Sequence, residues 1–129
     1  MTVYKKVKDA IASWCSAHGY TLRAEIASMD GKNLPARFVL YIQENNGRIW
    51  FADAPARRSY RIQFDVAVPV SEAAKLPGDF EGLDAVLIAA GFVPTGDYDM
   101  NTDHYAQKTY ITARYAVELP IGSEDDGTA

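Results

Sequence analysis

One strictly alternating run of ten residues constrains the fold more than any other feature of the sequence. Ser59–Val68 reads SYRIQFDVAV, with an apolar residue at every second position. Successive side chains of a β-strand point to opposite faces, so this run predicts a long antiparallel strand with one buried and one solvated face. We expect the buried face to pack against helices. It carries Tyr60, Ile62, Phe64, Val66 and Val68, and the solvated face carries Arg61, Gln63, Asp65 and Ala67.

Two segments have the apolar period of amphipathic helices. The first helix is predicted over residues 2–18, capped by Thr2 and ended by Gly19. Its apolar stripe is Val3, Val7, Ile11 and Trp14. The second helix is predicted from Asp79, as its cap, to the stop at Gly91. Its inward residues are Phe80, Leu83, Val86, Leu87 and Ala90. A short helical turn is predicted before it, over Ser71–Leu76.

A β-hairpin is predicted ahead of the alternating strand. Ala36–Gln43 is rich in β-branched and aromatic residues and predicts a strand. Glu44–Gly47 reads ENNG and predicts the hairpin turn, because Asn-Gly supplies the positive φ that such turns need. Arg48–Ala52 predicts the returning strand, and Pro55 is expected to break the ladder.

The remaining segments complete the order of elements. Thr21–Ala27 fits either a strand or a helical turn, and Met29–Pro35 predicts a loop. Residues 92–106 hold Gly, Pro, Asp and Asn and are also predicted to be a loop, and Gln107–Leu119 alternates as a last strand. The predicted class is α+β: an antiparallel β-sheet with a β-hairpin, packed against two main helices. We expect one domain over residues 1–119 and a short, disordered acidic tail over 120–129.

Composition narrows the functional classes. The chain has 129 residues and a single cysteine, which predicts one domain without an internal disulfide, in a reducing compartment. The N-terminal MTVYKKVKDA has no apolar stretch after its charges, so no signal peptide is expected. The longest apolar run, Ala85–Val93, is too short to span a bilayer, and no membrane role is expected.

Charge is unevenly distributed along the chain. The net charge is −4, which argues against broad nucleic-acid binding. Residues 1–70 hold ten Lys and Arg and six Asp and Glu, a net +4, whereas residues 71–129 hold three and eleven, a net −8. Opposite charge on two halves favours head-to-tail contact between copies or docking of a charged partner, although the same charges also fit a plain solvated surface.

Residues with catalytic or metal-binding potential are few. Cys15 lies beside the apolar stripe of the first helix, where a packed thiol is expected rather than a nucleophile. Cys15, His18 and His104 match no metal-binding motif. Asp97–Asp103 resembles the start of a calcium loop, but Thr102 and Lys108 stand where that loop requires Gly and Glu. We therefore expect no enzyme, no cofactor and no metal.

Several fragments, taken in order, resemble one family. They are Phe51-Ala52-Asp53, Ser59-Tyr60-Arg61-Ile62-Gln63-Phe64-Asp65-Val66, Ala89-Ala90-Gly91-Phe92, and Tyr98-Asp99 with Thr102, Tyr105 and Lys108. Together they resemble the tail terminator, or tail completion, proteins of long-tailed bacteriophages, over about residues 1–119. The resemblance implies an α+β subunit of a six-membered ring, a homohexamer, in the virion after assembly in the host cytoplasm. It implies neither catalysis nor a cofactor.

The resemblance also implies the partners. Such a ring caps the head-proximal end of the tail tube, ends its polymerisation and offers a surface to the neck or head-completion protein, while DNA passes through the hole without specific binding. On this basis the expected subunit or tube interface comprises Glu44, Asn45, Asn46, Arg57, Arg58, Arg61 and Asp65. Two alternatives stay open: another neck or tail component, such as a head-closure or tail tube protein, and a small ligand-binding module unrelated to phage.

Overall fold

The chain folds into one sheet with helices on one side. The computed structural model describes residues 3–24, 35–51 and 54–120, with residues 44–51, 54–57 and 120 described by their backbone alone. The elements in chain order are α1 (Val3–His18), β1 (Thr21–Ala24), β2 (Phe38–Phe51), β3 (Ala54–Pro69), a 3-10 helix (Val70–Lys75), α2 (Leu76–Ala89), β4 (Val93–Pro94), β5 (Asp99–Asp103) and β6 (Lys108–Pro120). The predicted α+β class is confirmed. The predicted acidic tail lies outside the described residues beyond Pro120.

The sheet has six strands, of which five follow the spatial order β1-β2-β3-β6-β4. β5 also pairs with β6, nearer its start than β4 does. Every pairing is antiparallel except that of β1 with β2, which is parallel. Thr21–Ala24 is therefore a strand rather than a helical turn, and it adds a parallel strand to the predicted antiparallel sheet.

The hairpin is longer than predicted, and the predicted turn at Glu44–Gly47 is wrong. β2 continues through ENNG, with Asn46 opposite Tyr60. A register shift between Gln43 and Asn45 leaves Glu44 as an extra residue, a β-bulge. The local turn preference of Asn-Gly is overridden because the long strand β3 supplies pairing partners to both sides of it.

The prediction that Pro55 breaks the ladder is wrong. It lies inside β3, opposite Trp50, next to a second register shift between Ile49 and Trp50. A bulge is one of the places where a sheet accepts proline, since the missing N–H costs no ladder bond there. As a result, the whole stretch from Ala54 to Pro69 forms one strand of 16 residues, enclosing the predicted Ser59–Val68.

The main core lies between the helices and one face of the sheet. The four stripe residues predicted for α1 are all buried, and so is the predicted apolar face of β3. β6 contributes Ile111, Ala113, Tyr115, Val117 and Leu119 to the same cluster. Burial of this alternating surface is the main favourable term in folding. In the part of the chain that the structure describes, neither helix is long and apolar enough to cross a bilayer.

Helix α2 begins earlier than predicted, so Asp79 is not its cap. The predicted turn over Ser71–Leu76 exists as the 3-10 helix, and α2 follows it directly with Pro77 in its first turn, a position that suits proline. Asp79 instead accepts a hydrogen bond from the Tyr20 hydroxyl at 2.8 Å. The predicted stop is confirmed, because Gly91 has a φ of 99°, the left-handed conformation that only glycine adopts without strain.

The loop predicted for residues 92–106 is replaced by two short strands and a turn. β5 pairs with β6 over Asp99–Asp103, although all five of its residues are exposed. A strand exposed on both faces has no apolar alternation, so the sequence carries no signal for it. The turn between β5 and β6 is held by Asp103, whose Oδ1 accepts backbone hydrogen bonds from Tyr105 and Ala106 at 2.9 and 3.1 Å.

Candidate interaction surface

The sheet face opposite the helices carries a second, smaller apolar cluster. Phe38, Leu40 and Ala67 form it, with Ile42 and Tyr110 packed around it. Ala67 is 2% exposed, so the face predicted to be solvated is apolar at this end of β3. A pocket of about 270 Å³ lies here, and Asp65, Asp103 and Lys108 contribute its charged groups.

Two of the predicted interface residues, Arg61 and Asp65, lie on this face. Arg61 lies opposite Asn45 in the ladder, and its side chain is exposed. Asp65 lies on the same face of β3 but is engaged inside the sheet. Its Oδ1 accepts hydrogen bonds from Thr112 Oγ1 at 2.8 Å and from Gln63 Nε2 at 3.1 Å. Arg61 is therefore the side chain available to a partner, whereas Asp65 stabilises the pairing of β3 with β6.

The predicted cluster of arginines is divided between the two faces. Arg58 is half-buried, and by the strand's period of two it shares a face with the core residue Tyr60, not with Arg61. The backbone of Arg57 pairs with Ile49 and Pro120, while its side chain lies outside the description. Glu44 and Asn46 are likewise placed only by their backbone, inside β2. The alternation that predicted β3 also carried the signal that Arg58 and Arg61 point to opposite faces.

The segment from α2 to β5 is acidic, which the sequence indicated only as a sum. The chain from α2 to β5, residues 76–103, has six acidic residues and no Lys or Arg: Asp79, Glu81, Asp84, Asp97, Asp99 and Asp103. β1, β2 and β3 together hold five arginines against Glu44 and Asp65. Since β5 pairs with β6 on the side away from β3, charge changes sign across the width of the sheet. That the two halves of the chain form opposite charged surfaces stays a prediction, because the side chains of Arg48 and Arg57 lie outside the description.

A second pocket of about 270 Å³ lies between α2 and β4–β5. Its charged groups are Glu81, Asp84, Asp97 and Arg114, and the rings of Phe80 and Tyr98, 4.9 Å apart between centroids, supply an apolar wall. At its floor the buried Tyr115 donates a hydrogen bond to Asp84 at 2.5 Å. Burial, and then the hydrogen bond to Asp84, raise the pKa of the Tyr115 hydroxyl, which therefore stays a donor at ordinary pH.

Polar contacts tie the helical layer to the sheet ends. Arg37 Nε donates to Glu72 Oε1 at 2.5 Å, and Lys75 lies 3.4 Å from the same carboxyl oxygen. The hydrogen bond from Arg37 is the largest influence on the Glu72 carboxyl and lowers its pKa. Lys108 Nζ donates to the carbonyl oxygens of Pro35 and Ala36 at 3.1 and 2.6 Å. Burial lowers the pKa of this amine. These groups act structurally, since each is engaged by its neighbours.

The three residues weighed for metal binding are not brought together as a site. Cys15 is buried, and burial raises the pKa of its thiol to about 11, so it is neither a thiolate nucleophile nor a ready ligand. His18 donates from Nδ1 to the Trp14 carbonyl at 2.8 Å and stacks on the Trp14 ring. His104 lies in the exposed β5–β6 turn. Across residues 3–24, 35–51 and 54–120, no group of three His, Cys, Asp or Glu residues could hold a metal ion.

Comparison with known proteins adds no family. No protein-family model and no curated protein matches this sequence.

Proposed function

We propose that this chain is a non-catalytic subunit of a ring that caps the head-proximal end of a bacteriophage tail tube. In this role it ends polymerisation of the tube and presents a surface to the neck or head-completion protein. The observation that carries the proposal is the change of charge sign across the sheet. The proposal also draws on the resemblance of the ordered fragments from Phe51 to Lys108 to tail terminator proteins.

Opposite charges on opposite edges suit a ring because a ring is a heterologous assembly. One surface of each subunit meets a different surface of the next, and closure returns the contact to the first subunit. β1–β3 carry a net charge of +3, and residues 93–103, which include β4 and β5 at the other edge, carry −3. Electrostatic complementarity of this kind steers association and fixes register, and it disfavours contacts between like surfaces.

The acidic surplus also suits passage of DNA through a ring. Binding to the phosphate backbone depends on Lys and Arg that displace counterions, so a channel lined by acidic or neutral groups lets DNA pass without gripping it. The exposed acidic stretch from Asp97 to Asp103 is our candidate for such a lining. No cofactor or metal has a part in this function.

The deciding experiment combines solution mass with tube growth. Light scattering across a concentration series, with negative-stain images of the same samples, measures whether rings with a central hole form. The protein is then added to growing tubes of a bacteriophage tail tube protein. We expect tubes to stop elongating and to carry a ring at one end. Tubes that grow to unchanged length beside intact chain would contradict the proposal.

The same samples separate the alternatives. Long tubes formed by this chain alone would identify it as the tube protein itself. A small molecule retained in native mass spectrometry, together with a strict monomer that ignores tube ends, would identify a ligand-binding module. The variant Arg61→Glu, which reverses one exposed charge on β3, tests the contribution of charge to assembly. We expect it to weaken assembly while leaving the unfolding free energy of the monomer within about 0.5 kcal/mol.

A further inference from the structure

We propose that the open edge of β2 pairs in antiparallel fashion with β5 of a second copy of this chain. The two copies thereby join head to tail through one continuous sheet. This inference rests on the proposed function, because the second copy is the neighbouring subunit of the ring.

Most of the outer edge of β2 is left open by β1. β1 pairs only with Phe38–Tyr41 of β2, whereas β2 runs on to Phe51. Among the residues that the structure describes, no strand pairs with this side of β2 from Ile42 onward. Such an edge presents a row of backbone N–H and C=O groups that are a ready template for another strand.

The opposite edge of the sheet offers a strand of the right kind. β5 pairs with β6 through one side, and no other strand of the described chain pairs with its far side. Because β2–β3, β3–β6 and β6–β5 are all antiparallel, β5 runs opposite to β2. A neighbour in the same orientation therefore brings β5 against β2 as an antiparallel pair, the arrangement with well-aligned hydrogen bonds.

Charge selects this heterologous pairing over the self-pairing of two β2 edges. Residues 42–61, which contain most of the hairpin, have four arginines and two acidic residues. Residues 93–103, which contain β4 and β5, have three aspartates and no Lys or Arg. Two β2 edges related by a two-fold axis would bring like-charged hairpins together, which costs free energy, whereas β5 brings opposite charge.

The offset between the two edges fits a closed ring. Through the ladder, Asn101 on β5 is level with Phe38. If β5 of the neighbour docks on β2 just beyond β1, its Asn101 is displaced along the strand direction by about 18 Å. The four strands that one subunit contributes, β5, β6, β3 and β2, have a width of roughly 19 Å. Strands joined in this way tilt by roughly 45° from the ring axis, at the steep end of the range for closed barrels. The edges thus meet without leaving the sheet.

Disulfide trapping tests the contact. The native Cys15 is buried and its pKa is raised, so we expect it to form no disulfide under mild oxidation. The trap combines Asn101→Cys on β5 with Ile42→Cys or Asn45→Cys on β2, because these two β2 positions lie on the same face of the sheet as Asn101. We expect oxidation to shift most of the doubly substituted chain into a ladder of dimers, trimers and higher multimers. Each single variant stays monomeric on denaturing gels, and a mixture of complementary single variants gives dimers only.

A cysteine far from both strand edges controls for disulfides formed by chance collision. Ser13→Cys lies on the exposed side of α1, and paired with Asn101→Cys it reports chance collisions, for which no ladder is expected. Dimers from Asn45→Cys alone would show two-fold pairing of β2 and overturn the inference. Rings in negative stain without a link from either β2 position would overturn the edge contact and leave the proposed function standing. Neither rings nor links, even on tube ends, would overturn both.

Discussion

Tyr115 on β6 donates its hydroxyl hydrogen to Asp84 on α2 across 2.5 Å, joining residues 31 positions apart in the chain. The Tyr115 side chain is 1% exposed, and its ring meets Phe64 edge-on at 5.6 Å between centroids. The contact fixes the position of α2 over the sheet, at the floor of the pocket between α2 and β4–β5. A charged acceptor makes this hydrogen bond stronger than one between neutral groups.

Removal of the Tyr115 hydroxyl should destabilise the fold even though the aromatic ring of residue 115 stays packed in the core. We expect Tyr115→Phe to lower the free energy of unfolding by about 1.5–3 kcal/mol, because a half-buried carboxylate loses its donor. Urea unfolding followed by circular dichroism measures the change. Tyr105→Phe is the control, since Tyr105 is fully exposed and its change should stay within about 0.5 kcal/mol. Equal changes in the two variants would show that the bond to Asp84 contributes nothing.

The extent to which the sequence predicted the fold depended on whether a segment's signal was local. β3 and β6 carry an alternation that is set by burial on one face, so their core residues could be identified. The turn at Asn46-Gly47 was misplaced because pairing with the distant residues Ser59 and Tyr60 outweighed a local preference. β5 was missed because an exposed strand has no pattern to detect.

The candidate surface was predictable only in part. Charge counting indicated a basic and an acidic half of the chain, and the ladder places β1 and β5, which belong to these halves, at opposite edges of the sheet. The separation of Arg58 from Arg61 followed from alternation and could have been predicted. The open edge of β2 could not, because it depends on how far the four residues of β1 extend along β2. The number of residues over which two strands pair cannot be recognised from the sequence of either strand when the strands are distant in the chain.

Cys15 should resist alkylation in the folded protein. Burial raises its pKa from 9.0 to about 11, so at a pH below both values the thiolate fraction falls about a hundredfold. We expect iodoacetamide to modify the native chain at least that much more slowly than a free thiol, because the thiolate is the reactive form. The same reaction in concentrated urea is the control and should go to completion. Rapid modification without denaturant would show that α1 opens readily.

Gly82 allows α2 to approach the indole of Trp14. A methyl group at Gly82 would lie 3.2 Å from Trp14 Nε1, and the Trp14 ring is held by stacking on His18 and by a tilted contact with Tyr20. Gly78 lies in the same helix with no atom within 4 Å of such a methyl group. We expect Gly78→Ala to stabilise the fold by about 0.5–1 kcal/mol through helix propensity. In Gly82→Ala the close contact with Trp14 should cancel this gain in stability. Equal changes of melting temperature in the two variants would contradict the close approach of α2 to Trp14.

Two buried tyrosines should make the fold sensitive to alkaline pH. Burial first, and then hydrogen bonds to Asp79 and Asp84, raise the pKa values of Tyr20 and Tyr115 above the unfolded value of 10.0. A group whose pKa is raised in the folded state contributes stability that is fully present below its unfolded pKa. That stability is lost as the pH rises toward the folded pKa. The free energy of unfolding should therefore fall above about pH 10, by up to ~1.4 kcal/mol per pH unit for each tyrosine.

Urea unfolding at a series of pH values up to about 11 measures this slope. The thiol of Cys15 titrates in part of the same range, so the series is best run in a Cys15→Ala background. In that background Tyr20→Phe should reduce the slope, since phenylalanine releases no proton on unfolding. Tyr105→Phe is the control at a fully exposed position and should leave the slope unchanged. A slope that Tyr20→Phe does not reduce would mean that the Tyr20 hydroxyl ionises while the bond to Asp79 is intact, contrary to the buried geometry.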